Sequence, residues 1–295
     1  MKRMMEIDKR FDDPVYKINS SSADIIHTCR KKAYYALNLG VRPKTESTAL
    51  MFGSALHSGL EAFYASEASK RDFDAVIDAF VARAAATKLV ELPEDDKRSI
   101  KNGKKILAAY WKTYSDDPWV TVFDKTGPLV ERSFEYKADY YEGLYIHGQI
   151  DAILRNTETG EVVVVDHKTS SSLGTDFMNR IKPNLQFSAY AWAANKMGLK
   201  VSRVMVNGIQ VAKTKTDLVR VFTERTVADF KEMEETFFEA RRLYDYSATY
   251  NVWPLNSLAC SNWGGCPYKE VCSLPPQYRD NALEVLSGNP AEAEA

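Results

Sequence analysis

Two acids and a lysine near the middle of the chain carry its clearest chemical signal. Asp151 lies in the apolar stretch "GQIDAIL", Asp166 ends the valine run of "VVVVDHKTSS", and Lys168 follows two residues later. The valines describe a strand buried on both faces, where an acid, a histidine and a lysine are costly unless something compensates their charge. Strand alternation turns Asp166 and Lys168 to one face and His167 to the other. If the two stretches form a hairpin, Asp151 and Asp166 become neighbours across it. Adjacent carboxylates repel unless they share a proton, a basic partner or a divalent cation.

A hard cation such as magnesium takes oxygen ligands and keeps several waters. Two carboxylates and a backbone carbonyl therefore form an incomplete cage with room for phosphate and water. Such a cation acidifies water, and an adjacent lysine can orient that water or offset charge on phosphate. These parts suit phosphodiester hydrolysis. The competing reading of the acid-X-lysine spacing is a buried ion pair at a strand end. Gly148, three residues before Asp151, permits the close backbone approach that a site needs.

The surrounding pattern predicts the elements that hold these residues. "LVERSFEYK", "YIHGQIDAIL" and "EVVVVDHKT" read as a three-strand meander, the last two joined by the turn residues of "RNTETG". "NLQFSAYAWAANKMG" reads as a helix stopped by Gly198, followed by strands in "KVSRVMVNGIQV" and "LVRVFTE", then an amphipathic helix from about Thr226 to Tyr246. Upstream, one of Ser20, Ser21 and Ser22 is expected to cap a helix that carries Cys29. "STALMFGSALHSGLEAFYASE" gives a second helix with Phe52, Leu56, Leu60 and Phe63 near one face and His57 one turn after Gly53. Two further helices are expected between about 71 and 115, interrupted by "ELPEDD"; the second has a basic stripe of Lys97, Lys101, Lys104 and Lys105 opposite Leu107, Tyr110, Trp111 and Tyr114. The class is mixed α/β or α+β.

The motifs "GQIDAI", "VVVVDHKTS" and "LQFSAY" resemble the PD-(D/E)XK nuclease superfamily, and specifically its RecB-like branch. Gln186 and Tyr190, one helical turn apart, match the glutamine and tyrosine of that branch, and Gly53 and His57 in "GSALHSGL" match its upstream motif. The resemblance runs from Ser20 to Cys272. It implies a restriction-endonuclease-like mixed sheet flanked by helices, with a helical part over about 46–120 and a catalytic sheet core over about 128–225. It also implies that Asp151, Asp166 and the carbonyl of His167 bind Mg2+ or Mn2+, with His57 as a further ligand. Lys168 would assist the attacking water, while Gln186 and Tyr190 position DNA or brace the acids. Taken alone, Gln186 and Tyr190 fit ordinary helix packing equally well, and His167 and His147 point to structural side chains.

Three of the four cysteines, Cys260, Cys266 and Cys272, crowd into "CSNWGGCPYKEVC", and the fourth, Cys29, stands far upstream. Thiolates in such a layout bind zinc or an iron–sulfur cluster, and four buried free thiols are the alternative. The layout resembles the iron–sulfur RecB-like nucleases, which include AddB-type enzymes and the CRISPR-associated exonucleases of spacer acquisition. That resemblance implies a 4Fe-4S cluster, or zinc, clasping Cys29 to residues 260–272 within one domain over 1–285, followed by a flexible tail at 286–295.

A formal net charge of −1 and 45% hydrophobic residues describe a globular chain with no global pull toward nucleic acid, so DNA contacts must be local. Arg30, Lys31, Lys32 and the lysine stripe are candidates for the backbone; Tyr34, Tyr35, Tyr64 and Trp263 could stack on bases, although core packing is the more common fate of such rings. The stripe also fits a solvated face. No apolar run is long enough for a membrane span, and "MKRMMEIDKRFDD" is charged where a signal peptide is apolar. The expectation is a cytoplasmic protein of a bacterial, archaeal or virus-infected cell. It would act as a metal-dependent DNA exonuclease on single strands or duplex ends, in recombination, repair or replication, possibly in a phage. Recombination or replication proteins are expected partners, and a catalytically inactive DNA-binding or assembly subunit is the alternative. The sequence leaves oligomeric state, polarity and DNA-versus-RNA preference open.

Overall fold

A computed structural model describes residues 16–44, 47–261 and 265–287. In chain order the elements begin with β1 (Tyr16–Ile18), α1 (Ser20–Thr28), α2 (Arg30–Ala33), α3 (Thr48–Ala65), α4 (Phe73–Ala85) and α5 (Ile100–Tyr114). The strands β2 (Trp119–Thr121), β3 (Phe123–Asp124), β4 (Gly127–Pro128), β5 (Val130–Lys137), β6 (Leu144–Asn156) and β7 (Val162–Ser170) follow. The chain continues through α6 (Thr175–Asn179), α7 (Leu185–Lys196), β8 (Arg203–Gln210), β9 (Leu218–Glu224), α8 (Val227–Tyr250), α9 (Lys269–Ser273) and α10 (Arg279–Ser287). It divides into two compact units, one of residues 1–42, 135–148 and 231–295, the other of 43–134 and 149–230.

The larger unit is a mixed sheet flanked by helices, the expected class. β6 and β7 pair antiparallel with Ala152 opposite Val165, β7 runs parallel to β8, and β8 is antiparallel to β9. β2 and β5 also pair with β6. The β6–β7 turn forms where expected, because the Asn156 side chain accepts from the backbone of Glu158 and Thr159 and Gly160 adopts φ +74°. Both sheet faces are covered, which explains the unbroken valine run. Val163 and Val165, with Ala152 and Leu154, join the core that includes Phe52, Leu56, Leu60 and Phe63 of α3. Each such side chain taken fully out of water contributes about 1.5–3 kcal/mol.

Local sequence sets the helix starts. Ser47, Ser99 and Asn184 cap α3, α5 and α7 by accepting backbone N–H bonds. The approach of α4 and α5 depends on Gly103, where a Cβ would lie 2.0 Å from Cζ of Phe80.

In the smaller unit β1 runs parallel to the start of β6, with Tyr16 beside Leu144. The cap of α1 is Asn19, not one of the three serines: its side chain accepts from Ser22 N–H, and Ser22 Oγ in turn accepts from Asn19 N–H. The helix also stops before Cys29, whose backbone is extended, and restarts at Arg30. α8 runs to Tyr250, past the expected end. Its fully buried Glu234 accepts from the backbone N–H groups of Asp139 and Tyr140 at 3.0 and 2.8 Å, which pins the loop between β5 and β6.

Candidate functional site

The β6–β7 register, carried one step beyond Ala152 and Val165, brings Asp151 level with Asp166. Asp151 Oδ2 accepts from the His167 backbone N–H at 2.7 Å. Lys168 Nζ donates to Asp166 Oδ1 at 2.9 Å and to Gln186 Oε1 at 3.0 Å, and Gln186 Nε2 donates to the Tyr190 hydroxyl at 2.8 Å. The i, i+4 spacing on α7 thus builds a bracket that fixes the lysine over the acids. Burial, with Asp151 and Asp166 nearby, raises the Tyr190 phenol well above its ordinary range, so it stays a neutral hydrogen-bonding group.

His57 reaches the site from α3. Its Nε2 bonds the carbonyl oxygen of His167 at 2.9 Å, so in the neutral tautomer Nδ1 is a lone pair facing Asp151 Oδ2 at 3.6 Å. Two electron-pair donors held face to face call for a proton or a cation between them. A third is Glu131: ligand atoms of His57, Glu131 and Asp151 lie within 4.8 Å of one another, the only such group of histidine, cysteine and acid side chains among the described residues. Asp166 stands beside it with Oδ2 buried and without a hydrogen-bond partner. An orphaned carboxylate oxygen beside a histidine and two further acids suits a divalent cation with oxygen and imidazole ligands.

The electrostatics agree. Burial, opposed by Lys168 and reinforced by Asp151, raises the Asp166 carboxyl to about 6. Burial, Asp151 and Glu61 together push Glu131 up to about 8. Glu131 was not singled out in the sequence, where "LVERSFEYK" reads as a plain strand. Its backbone φ of +46°, unusual for a residue with a side chain, breaks that pattern, and no local residue type announces it.

The side chain of His167 points away from these groups, as alternation requires. Its Nδ1 pairs with Asn207 Nδ2 at 2.9 Å and its ring stacks on Tyr64 at 5.6 Å between centroids. Burial, with His57, Arg220 and Lys168 adding to it, drives its pKa well down, so the ring is neutral. Asn207 also donates to the Tyr110 hydroxyl, Tyr110 and Tyr64 share a 2.6 Å bond, Arg220 donates to Tyr64 at 3.1 Å, and Arg220 pairs with Asp117. This chain holds the peptide whose N–H grips Asp151 and whose carbonyl accepts from His57.

Residues 17–273 match the family model of the PD-(D/E)XK nuclease superfamily. The chain belongs to that superfamily. A crystal structure from Eubacterium rectale, provisionally assigned as an exonuclease, superimposes on the nuclease with TM-score 0.53 at 16% identity, covering 89% of this chain and 94% of that one. A second, of SSO0001, gives TM-score 0.34 at 15% identity over 83% and 94% of the two chains, too weak a likeness to carry an argument. No curated protein sequence matches the nuclease.

The remaining candidates of this nuclease fall elsewhere. All four thiols are free and belong to the smaller unit, but they form no set of three ligand atoms within 4.8 Å. Cys266 and Cys272 pack against a small core of Tyr35, Tyr268, Val271 and Leu283, and Cys29 Sγ accepts from Asn256 N–H at 3.4 Å. Burial, with Cys266 and Cys29 adding to it, pushes the Cys272 thiol up, although a hydrogen bond with Tyr35 opposes this. The structure therefore does not gather the expected cluster or zinc ligands. Arg30, Lys31 and Lys32 lie on α2, where Lys31 Nζ sits 5.4 Å from the Tyr34 ring centroid. Lys101, Lys104 and Lys105 are exposed on α5, Lys101 pairing with Glu94 at 2.7 Å, while Lys97 is half-buried before the helix. Tyr35 and Tyr64 are core residues, which removes them as base-stacking platforms; Trp263 and the tail from Gly288 lie outside the described residues. Among the described residues no helix is long and apolar enough to cross a membrane.

Proposed function

We propose that this nuclease is a metal-dependent DNA exonuclease that hydrolyses phosphodiester bonds at duplex ends or in single strands during recombination, repair or replication. The observation that carries the reading is Lys168, held between Asp166 and Gln186 beside Asp151. His57, Glu131, Asp151 and Asp166 would hold Mg2+ or Mn2+, with the second lone pair of the His167 carbonyl available to it. When bound, that cation offsets phosphate charge and makes water more acidic. Lys168, fixed by two acceptors, keeps an ammonium hydrogen for a phosphate oxygen or for the attacking water. Gln186 and Tyr190 keep the lysine in place and limit its motion toward solvent.

Exonuclease rather than endonuclease action is supported by Gln186 and Tyr190 of the RecB-like motif. Arg30, Lys31, Lys32, Lys97, Lys101, Lys104 and Lys105 are proposed contacts to the DNA backbone. A cytoplasmic setting and recombination or replication partners belong to the same proposal. The iron–sulfur clasp remains a proposal supported by the placement of all four cysteines in one unit. Iron and acid-labile sulfide assayed in anaerobically purified protein test it, with zinc content as the alternative outcome.

The decisive experiment is degradation of end-labelled linear DNA in Mg2+ or Mn2+, beside a closed circle and the Lys168→Ala variant. Loss of the linear substrate alone, abolished by the substitution, is expected. Equal cutting of the circle removes the exonuclease assignment. No cutting of either substrate favours a nuclease-fold subunit that binds DNA without cleaving it.

A further inference from the structure

Beside the acids lies a cavity of about 550 Å³ lined by both acidic and basic side chains. His57, Glu61 and Glu131 are among its lining residues. Gly53, Ser54, Arg83, His167, Lys168 and Thr169 line it as well. The cavity floor is one stripe of α3, so Ser54 and Ser58, like Gly53 and His57, stand one turn apart, about 6 Å along the helix.

Arg83 is the informative residue. It is exposed on α4, and its Nε donates to Ser54 Oγ at 3.0 Å, which ties the guanidinium to the cavity wall. Among the described residues it makes no ion pair, so no carboxylate neutralises it. One donor is thus committed to holding the group in place, and the remaining planar donor edge matches a phosphate. Ser54, which holds Arg83, precedes Glu61 by about two turns of α3, roughly 10 Å along the helix, which separates this anchor from that carboxylate.

We infer that Arg83, held by Ser54, is a phosphate-binding subsite for the nucleotide adjoining the scissile bond, one helical turn along α3 from His57. The inference rests on the nuclease reading of the same site. A nucleic-acid strand lying along α3 would place one phosphate by Lys168 and the next by Arg83, with the Thr169 hydroxyl beside it. The side of the scissile bond that Arg83 serves then sets the direction in which the strand enters.

The test uses short single-stranded DNA oligonucleotides of one sequence, each with one neutral methylphosphonate linkage at a successive position. Binding is measured by fluorescence anisotropy in EDTA and cleavage is followed in parallel with Mn2+. With the wild-type protein one position next to the cleaved bond is expected to weaken binding about tenfold. With Arg83→Gln that position carries no extra effect, and the slope of log affinity against log salt falls by about 0.7. Ser54→Ala produces the same pattern at smaller size. Arg83 is exposed, so unchanged thermal melting is expected for its variant. The proposal is overturned if Arg83→Gln binds every oligonucleotide as the wild type does, if the position dependence survives the substitution, or if the wild-type protein binds none of them. Wild-type protein that cleaves nothing yet shows the Arg83-dependent position overturns the nuclease reading and leaves the subsite standing.

Discussion

Asp166 and Lys168 on one face of β7, and His167 on the other, sit in adjacent positions of one strand yet in opposite electrostatic settings. On the first face an acid keeps a buried oxygen without a partner, and neighbouring carboxyls are pushed above their usual range. On the second, His167, Asn207, Tyr110, Tyr64, Arg220 and Asp117 form a connected chain of hydrogen bonds and an ion pair. The first arrangement costs free energy in the isolated protein and is poised for a cation. The second spends buried polar groups on rigidity, holding the residue whose N–H binds Asp151. Function and support are separated by the two-residue period of a strand.

The sharpest break in this comparison comes from Lys168→Ala and Asp166→Asn. Each is expected to lower cleavage by roughly 10²–10⁴-fold, while Asp166→Asn leaves the metal-free protein at neutral pH as stable as before or more so, because burial disfavours the ionised carboxylate by more than its pairing with Lys168 offsets, as its pKa of about 6 records. A melting temperature that drops with Asp166→Asn would show that the acid is a structural ion-pair partner instead.

On the opposite face, Asn207→Leu should behave the other way round. Loss of its bonds to His167 and Tyr110 is expected to destabilise the fold by about 1–3 kcal/mol in urea denaturation, and cleavage per folded molecule should fall only as far as affinity for the cation falls. Lost cleavage with unchanged stability and unchanged Mn2+ affinity would erase the distinction between the faces.

The pH dependence sharpens it further. Asp166 and Glu131 have folded pKa values raised above those of the unfolded chain, to about 6 and about 8. The metal-free fold therefore binds their protons more tightly than the unfolded chain does, and this stabilisation is lost as pH rises through those values. Cation binding requires the ionised forms, so Mn2+ affinity and the thermal shift it produces should grow between pH 5 and 8, by up to about tenfold in affinity per unit for each group titrating. Glu131→Gln should weaken Mn2+ binding and flatten the upper part of that rise. Calorimetric titration across the range checks both, and an affinity independent of pH removes Glu131 and Asp166 from the ligand set.

The smallest effect belongs to Gly53→Ala. The added Cβ would meet Thr169 Oγ1 at 3.4 Å, an ordinary contact, so stability should change by less than about 1 kcal/mol, with the helix preference for alanine acting in its favour. A loss of several kcal/mol in thermal or urea unfolding would mean that the α3–β7 approach is tighter than the geometry indicates.

The pairing of Asp151 with Asp166, the alternation that aims Lys168 at the acids, the Gln186–Tyr190 bracket and the α3 face that presents His57 were legible in the chain itself. The aim of Lys168 follows from the two-residue period of a strand, and the pairing of the acids from the turn residues between two strands. The roles of Gln186, Tyr190 and His57 come from the family motifs, since helix spacing alone fits ordinary packing equally well. The cap of α1 falls on Asn19, ahead of the three serines, because asparagine and serine compete for that role and only the local backbone decides between them. Other features depend on residues far apart in sequence meeting at one point. Glu131 joins His57 and Asp151 only because β5 lies beside β6 and its backbone turns to φ +46°. Asn207 meets His167 only because β8 pairs with β7 in that register, and Tyr110 of α5 joins them through Asn207. The cysteine spacing suggests a common set of ligands, but spacing along a chain does not fix distance in space, and no three of the thiols come within 4.8 Å of one another. Sequence determined the chemistry that single elements can carry; the tertiary structure decided which of those groups share a site, because distance and desolvation are properties of the packed fold.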